Sequence, residues 1–336
     1  MGWVAGSSLV AATTNAGGFG FLAAATIPAD EVEAEIIRVK EITGNKPFGL
    51  NFHMFQTNAN QLLDLAIEHK VRAVSYGRGP DKKVIGRLRD AGIVCMPTVG
   101  ALKHAQKAIE MGANAITVQG GEGGGHTGSV PSTVLIPQVV DAVKVPVIAA
   151  GGFYDGRGLL AALAYGAQGI AMGTRFLMTS DSGIPSATLD RYLQAKDAEK
   201  IQISYLVDGM PQRMIPNEYL QMLEKSSPFK RLRIAVQLAL QWKSQTGMTT
   251  QQALAILWKG FREDPGSTAQ NVMAANAPML LQRSMTDGKP AEGVMSSGQV
   301  AALINQLDSC ETVIQGIMRQ AQDRQLAIKQ YSGQDA

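Results

Sequence analysis

The sequence predicts an α/β fold, a TIM-type (β/α)8 barrel, and three observations carry that prediction. Short apolar runs of strand character recur roughly every 20 to 30 residues along the first half of the 336-residue chain. Each run is followed by helical spacing, the alternation that builds a parallel sheet with crossover helices. The glycine-rich loops cluster after the later runs, whereas a doubly wound sheet usually carries its fingerprint after the first strand.

Taken in order, strands are expected at Gly18 to Ala23, Pro47 to Phe52, Val71 to Tyr76, Ile93 to Thr98, Asn114 to Gln119, Val145 to Ala150 and Gln168 to Gly173. Their lead-ins resemble one another, as in DAGIVCMPTVG, MGANAITVQGG, AVKVPVIAAGG and YGAQGIAMGTR. An eight-stranded barrel needs one strand more. The chain opens with a turn and the helix-like GSSLVAATTNAG, so the only place for that strand is before Met1. The first strand is therefore expected to be missing, which leaves two sheet edges to be covered.

After Thr179 the rhythm stops. Residues 186 to 290 read as helices, with LQMLEKSS, RLRIAVQLALQWKSQ and TTQQALAILWKGF carrying apolar positions at three and four spacing. The expected division is a ligand-binding barrel at 1–180, a helical lid or insertion at 181–295, and a C-terminal helical segment at 296–336 that packs on the barrel. Dimerisation is the alternative use of the helical part, giving a homodimer.

Composition narrows the classes. A hydrophobic fraction of 45% with 18% charged residues is globular, and 36 glycines without a collagen period must serve turns and close backbone approaches. Cys95 and Cys310 stand alone, with no CxxC or Cys/His cluster, which fits a reducing cytoplasm and removes zinc and iron–sulfur readings. The first basic residue is Arg38, so the apolar start lacks the positive region of a signal peptide, and no run is long enough to span a membrane. Residues 219 to 262 hold Lys225, Lys230, Arg231, Arg233, Lys243, Lys259 and Arg262 against Glu224 alone. That segment is +6 in a chain of net +3. Such asymmetry suggests a surface for an anionic small molecule or an acidic partner, with a solvated basic face as the plain alternative. No nucleic-acid or membrane partner is expected.

In a barrel the chemistry is built from loops at the carboxyl ends of the strands, and phosphate groups sit on backbone amides after the last two strands. AAGGFYDGRG at 149–158 places Gly151 and Gly152 at one strand end, and AMGTRF at 171–176 places Gly173 and Thr174 at the next. Together they read as a phosphate cradle. In VQGGEGGGHTG at 118–128 the glycines let the backbone lie flat against a planar ligand, and His126 can act as acid or base there or simply bond the loop. Asn51 ends the second strand and His53 follows it, so both side chains are expected at the mouth, with an asparagine that caps the next loop as the plain alternative. There is no HExxH, no paired carboxylate on neighbouring strand ends and no GxSxG elbow, so a bound cofactor is expected to carry the reaction.

At these residues the sequence resembles the flavin-dependent nitronate monooxygenase family, formerly called 2-nitropropane dioxygenases. The matching elements are MGWVAG at the start, NAGGFG at 15–20, PFGLN at 47–51, GGEGGGHTG at 120–128, AAGGFYDGRG at 149–158 and MGTRF at 172–176. The family also holds FMN-dependent NAD(P)H oxidoreductases and flavin enoyl-ACP reductases. The resemblance implies FMN, with Met1 and Gly2 beneath the flavin at the end of the absent strand and Asn51, His53 and Thr98 around it. Gln119 and Gly124 would border the ring, and Ala150, Gly151, Gly152, Gly173 and Thr174 would hold the phosphate. His126 would be the catalytic histidine. Gly124 stands where many members have alanine, which implies a slightly wider pocket.

GWVAG, VQGGEGGGHTG, TSDS and VDGMPQRM look most like the branch of reductases acting on CoA esters in sterol-ring degradation. The expected activity is therefore hydride transfer from NAD(P)H through FMN to an unsaturated acyl-CoA, with Lys230, Arg231 and Arg233 meeting the CoA phosphates. A nitronate monooxygenase using oxygen, a flavin enoyl-ACP reductase whose acidic carrier protein would meet the same basic patch, and a noncatalytic phospholigand-binding barrel are the alternatives.

Overall fold

The computed structural model describes residues 1–53, 56, 58–77, 82–245 and 276–331. Its first half is the expected alternation. Helix α1 (Ser7–Asn15) precedes β1 (Phe21–Ala23), followed by α2 (Val32–Thr43), β2 (Gly49–His53), α3 (Ala59–Glu68), β3 (Ala73–Gly77) and α4 (Lys82–Asp90). Then come β4 (Val94–Cys95), β5 (Thr98–Val99), α5 (Leu102–Glu110), β6 (Ile116–Gln119), the two-residue β7 (Gly125–His126), α6 (Ser132–Ala142), β8 (Val147–Ala150), α7 (Gly156–Ala164), β9 (Gly169–Ala171) and the one-turn α8 (Thr174–Leu177).

The staves pair in parallel as β1–β2–β3–β4 and β5–β6–β8–β9. The strand expected at Ile93 to Thr98 is thus split in two, its first half pairing with β3 and its second with β6. Pro97 causes the break, because proline has no N–H to give the ladder. Its carbonyl still accepts from Thr117, and the amide of Met96 still donates to Val74, so the stave is continuous in space. One apolar core lies between β1–β4 and their helices, with Leu22, Leu50, Leu62, Leu63 and Leu88 fully buried. A second lies behind β5–β9, around Ile116, Val118, Ile136 and Val139. Parallel strands buried by helices on their outer face account for these near-continuous apolar runs.

Among the described residues no strand lies between β9 and β1. The opening loop covers part of that gap, with Ala5 O accepting from Ala23 N. Trp3 anchors this loop by donating its ring N–H to Pro278 O at 2.9 Å. On the outside the gap is closed by the C-terminal helix α13, which is defined below.

The second half runs α9 (Ser186–Gln194), β10 (Gln202–Ser204), β11 (Gln212–Ile215), α10 (Glu218–Lys225), α11 (Pro228–Gln245), α12 (Asn276–Met285), β12 (Met295–Ser296) and α13 (Cys310–Tyr331). It is not wholly helical, as the 181–295 reading had it. β10, β11 and β12 form an antiparallel sheet, which β7 joins through β11. These strands are two to four residues long, too short for an alternating pattern to stand out from the neighbouring helical spacing. The helical reading of TTQQALAILWKGF, with Lys259 and Arg262, lies outside the described residues. α13 packs against both α7 and α1. At Gly156 the approach is so close that an added Cβ would strike the α13 backbone at Ala321 N and Ile317 O. Gln320 Oε1 accepts from the Gly156 amide at 2.7 Å there.

Candidate active site

A cavity of about 2720 Å³ runs from Arg72, Val94 and Gln168 at the amino ends of the strands to the loops at their carboxyl ends. It exceeds the roughly 300–1,000 Å³ of an ordinary ligand cleft because it passes through the gap between β9 and β1 and reaches Ile314, Ile317 and Met318 of α13. Met1, Gly2, Asn51, His53, Thr98, Gln119, Gly124, His126, Ala150, Gly151, Gly152, Gly173 and Thr174 all line it. The basic trio does not. Lys230 and Arg233 are exposed on α11, Arg231 is half-buried, and the residues of that helix at the cavity are Ala239 and Lys243.

At the ends of β8 and β9 the backbone turns sharply. Gly151 and Gly152 take φ +89° and +81°, a left-handed pair that only glycine adopts without strain. Their amides, and that of Gly173, form no hydrogen bond with the described residues, whereas the Gly151 carbonyl accepts from Ser132 Oγ at 2.7 Å. The result is a concavity with free N–H donors. A Cβ at Gly152 would still lie 3.6 Å from the Glu122 side chain, whereas one at Gly151 would meet the Gly120 backbone at 2.8–2.9 Å. Thr174 Oγ1 accepts from Gly298 N at 2.9 Å, tying the cradle to the chain after β12. Arg175, the arginine of MGTRF, turns away to pair with Asp308 at 3.1 Å. Burial pulls its pKa down and Asp308 opposes this.

The glycine loop lines the cavity at Gly123, Gly124, Gly125 and Gly128 and also makes close approaches to other parts of the chain. A Cβ at Gly120 would strike Ser132, and one at Gly124 would come within 2.5 Å of Ser297 C and Gly298 N. Gly124 therefore admits a crossing backbone and does not widen the pocket. Glu122 caps α6, accepting from Ser132 N at 3.0 Å and Ser132 Oγ at 2.9 Å.

His126 leaves this loop as part of β7, opposite Gln212 of β11. Gln119 Nε2 donates to its carbonyl at 2.9 Å, so Gln119 fixes the histidine as well as facing the cavity. The ring Nε2 lies 2.6 Å from Asp208 Oδ2. Asp208 is buried at 5% exposure while His126 is half open, and Asp208 Oδ1 accepts from Met210 N at 3.1 Å. Arg213, on the strand after this loop, donates to Gly121 O at 3.0 Å and Ile201 O at 2.7 Å. Asp208 and Arg213 both fall in VDGMPQRM, where nothing in the spacing marked them. Elsewhere, Asn51 is not the end of its strand but the middle of β2, paired with Ser75 at the middle of β3, where its Nδ2 donates to Ser75 O at 3.2 Å. Both cysteines are buried and free, and burial pushes their thiols up to about 11, well above the range of a reactive thiolate.

The nitronate monooxygenase family model matches residues 1–320. The chain belongs to this family. It is 45% identical to a (3aS,4S,5R,7aS)-5-hydroxy-7a-methyl-1-oxo-octahydro-1H-indene-4-carboxyl-CoA dehydrogenase of Rhodococcus jostii, over 96% of this chain and 90% of that protein. A Mycobacterium tuberculosis protein of the same name is 46% identical over 96% and 91%. Among solved structures, FabK from Thermotoga maritima is similar at TM-score 0.78 and 27% identity, covering 98% of this chain and 93% of that one. A nitroalkane oxidase from Streptomyces ansochromogenes is similar at 0.73 and 25%, covering 97% and 95%. As a member of the nitronate monooxygenase family with a TIM-barrel fold, the protein is an FMN-dependent oxidoreductase. The unpartnered amides at the two left-handed glycines fit a phosphate of that cofactor.

Proposed function

We propose that the protein exchanges a hydride between FMN and a ring-bearing acyl-CoA thioester. The observation that carries this reading is that the free-amide cradle and the His126–Asp208 pair line one cavity. Gly151, Gly152 and Gly173 would hold the FMN phosphate, with Thr174 bracing that corner and Ala150 beside it; Met1, Gly2, Asn51, His53, Thr98, Gln119 and Gly124 would bound the remainder of the flavin. When bound, the flavin supplies two-electron redox chemistry. His126 moves the proton that accompanies it.

The printed names of the 45–46% relatives support the CoA thioester. They name a dehydrogenase, which takes hydride from its substrate, whereas the sequence predicts hydride running from NAD(P)H to an unsaturated acyl group. Lys243 at the cavity and Lys230, Arg231 and Arg233 further along α11 form the basic approach for CoA phosphates. The test is anaerobic bleaching of the FMN-loaded protein by NADPH, NADH, propane-2-nitronate and cyclohexanecarboxyl-CoA, with reoxidation of the reduced protein by cyclohexenecarboxyl-CoA. The thioester reading expects bleaching by the saturated CoA ester or reoxidation by the unsaturated one. Reduction by nitronate alone would overturn it in favour of nitronate oxidation, and protein that binds no flavin would return the noncatalytic reading.

A further inference from the structure

We propose that Asp208 is a positioning residue: it fixes His126 as the Nε2–H tautomer and so makes Nδ1 the atom that exchanges a proton with substrate. This rests on reading His126 as the acid–base group. The geometry carries it in three steps. First, Nε2 is 2.6 Å from Asp208 Oδ2, a charge-assisted distance at which an ionised carboxylate can only accept, so Nε2 bears the proton. Second, Asp208 cannot swing away, because it is buried and its other oxygen accepts from the Met210 amide. Third, with Nε2 taken, Nδ1 is the ring nitrogen left for a molecule in the cavity that His126 lines. The proton leaves the substrate bond, lands on Nδ1, and the resulting imidazolium is set against the Asp208 carboxylate.

Replacing Asp208 by asparagine preserves shape and inverts this logic. The Met210 N–H needs an acceptor, so the amide oxygen stays on it and the NH2 group is turned toward Nε2. Nε2 must then accept, and the proton moves to Nδ1, closing the atom that should receive one. A merely structural aspartate predicts no such exchange.

The experiment uses the FMN-loaded full chain, 15N-labelled at histidine, with His126 assigned by difference against His126→Gln. At a pH alkaline enough to keep the ring neutral, wild type is expected to show a protonated Nε2 and a bare Nδ1. Asp208→Asn is expected to show the reverse, and Asp208→Glu to restore the wild-type pattern in part. With the CoA ester of the bleaching panel, whose redox step moves a proton as well as a hydride, Asp208→Asn should lower the rate constant of flavin reduction by the saturated ester, or of reoxidation by the unsaturated one, by about 10²- to 10⁴-fold at nearly constant KM. A protonated Nδ1 in wild type overturns the proposal without any variant having to fold, and so does an unaltered tautomer and rate in Asp208→Asn. If the tautomer switches but His126→Gln reduces flavin at the wild-type rate, the positioning of the ring stands and the reading of His126 as acid or base is the one that fails.

Discussion

Two parts of the cavity wall, a cradle end and a histidine end, are built in opposite ways. At the cradle, Gly151, Gly152, Gly173 and Thr174 come from the ends of two adjacent parallel strands, and the donors offered are backbone amides. At the histidine end, His126 is held by a sheet that pairs residues 125–126 with 212–213, and its partner Asp208 is 82 positions away. The first is a local product of the repeated strand and turn; the second depends on a later, nonrepeating segment reaching back over the barrel. A cofactor site made of backbone tolerates change elsewhere in the chain, while a proton site made of two distant side chains can be retuned by altering one loop. Replacements at the two ends should therefore separate cleanly.

The largest effect is expected at the histidine end, and on rate alone. His126→Ala should keep stoichiometric FMN while electron exchange between flavin and the CoA thioester slows about 10²- to 10⁴-fold; rapid-mixing absorbance checks the rate and bound flavin checks the other arm. An unchanged rate would make His126 a purely structural residue. At the cradle the order is reversed, with binding lost before chemistry. Gly151→Ala must fit a Cβ against the Gly120 backbone and accept φ +89°, and should lose flavin and fold stability together. Gly152→Val has room behind it but must also take φ +81°, so a colourless protein of lower Tm is expected. Gly152→Val with full FMN content would remove the cradle assignment.

A smaller effect separates two uses of glycine within the loop that joins the ends. Gly124→Ala forces a Cβ against Ser297 and Gly298, an overpacking that should cost roughly 1–3 kcal/mol. Thermal unfolding of the flavin-free protein should show a lower Tm. An unchanged Tm with altered substrate selectivity would restore the pocket-width reading.

That loop also marks where the sequence could be read and where it could not. The seven parallel staves were legible because each is a short apolar run bounded by turn residues, a pattern that survives errors of two or three residues at either end. The cavity-lining glycines were legible because they recur at the ends of those runs. What could not be read depends on pairing at long range. Asp208 sits in VDGMPQRM with no periodicity to point at His126, and β10, β11 and β12 are too short to carry an alternating signature. Gly124 was misread because a glycine says only that a Cβ is excluded. Whether backbone or ligand excludes it is a fact of the folded chain.

The smallest expected effect concerns the basic helix, and it tests whether the substrate end extends along α11. Lys243 lies at the cavity, whereas Lys230 and Arg233 lie exposed beyond it. An exposed charge contributes on the order of 0–1 kcal/mol to a phosphate contact, much less than a desolvated one. Reversing Lys230, Arg231 and Arg233 together should therefore raise KM for a CoA thioester by only a few-fold and leave flavin reduction by a small nitronate or nicotinamide donor unchanged, since only ground-state binding of remote phosphates is affected. Lys243→Glu should raise the same KM more, because the cavity wall excludes part of the screening solvent. Both effects should shrink as salt is added, because mobile ions screen the same attraction in the wild-type protein. If the triple reversal outweighs Lys243→Glu at low salt, the CoA phosphates bind along the outer face of α11 and the gradient argued here runs the wrong way. Equal KM values for all three proteins would make the +6 segment a solvated face.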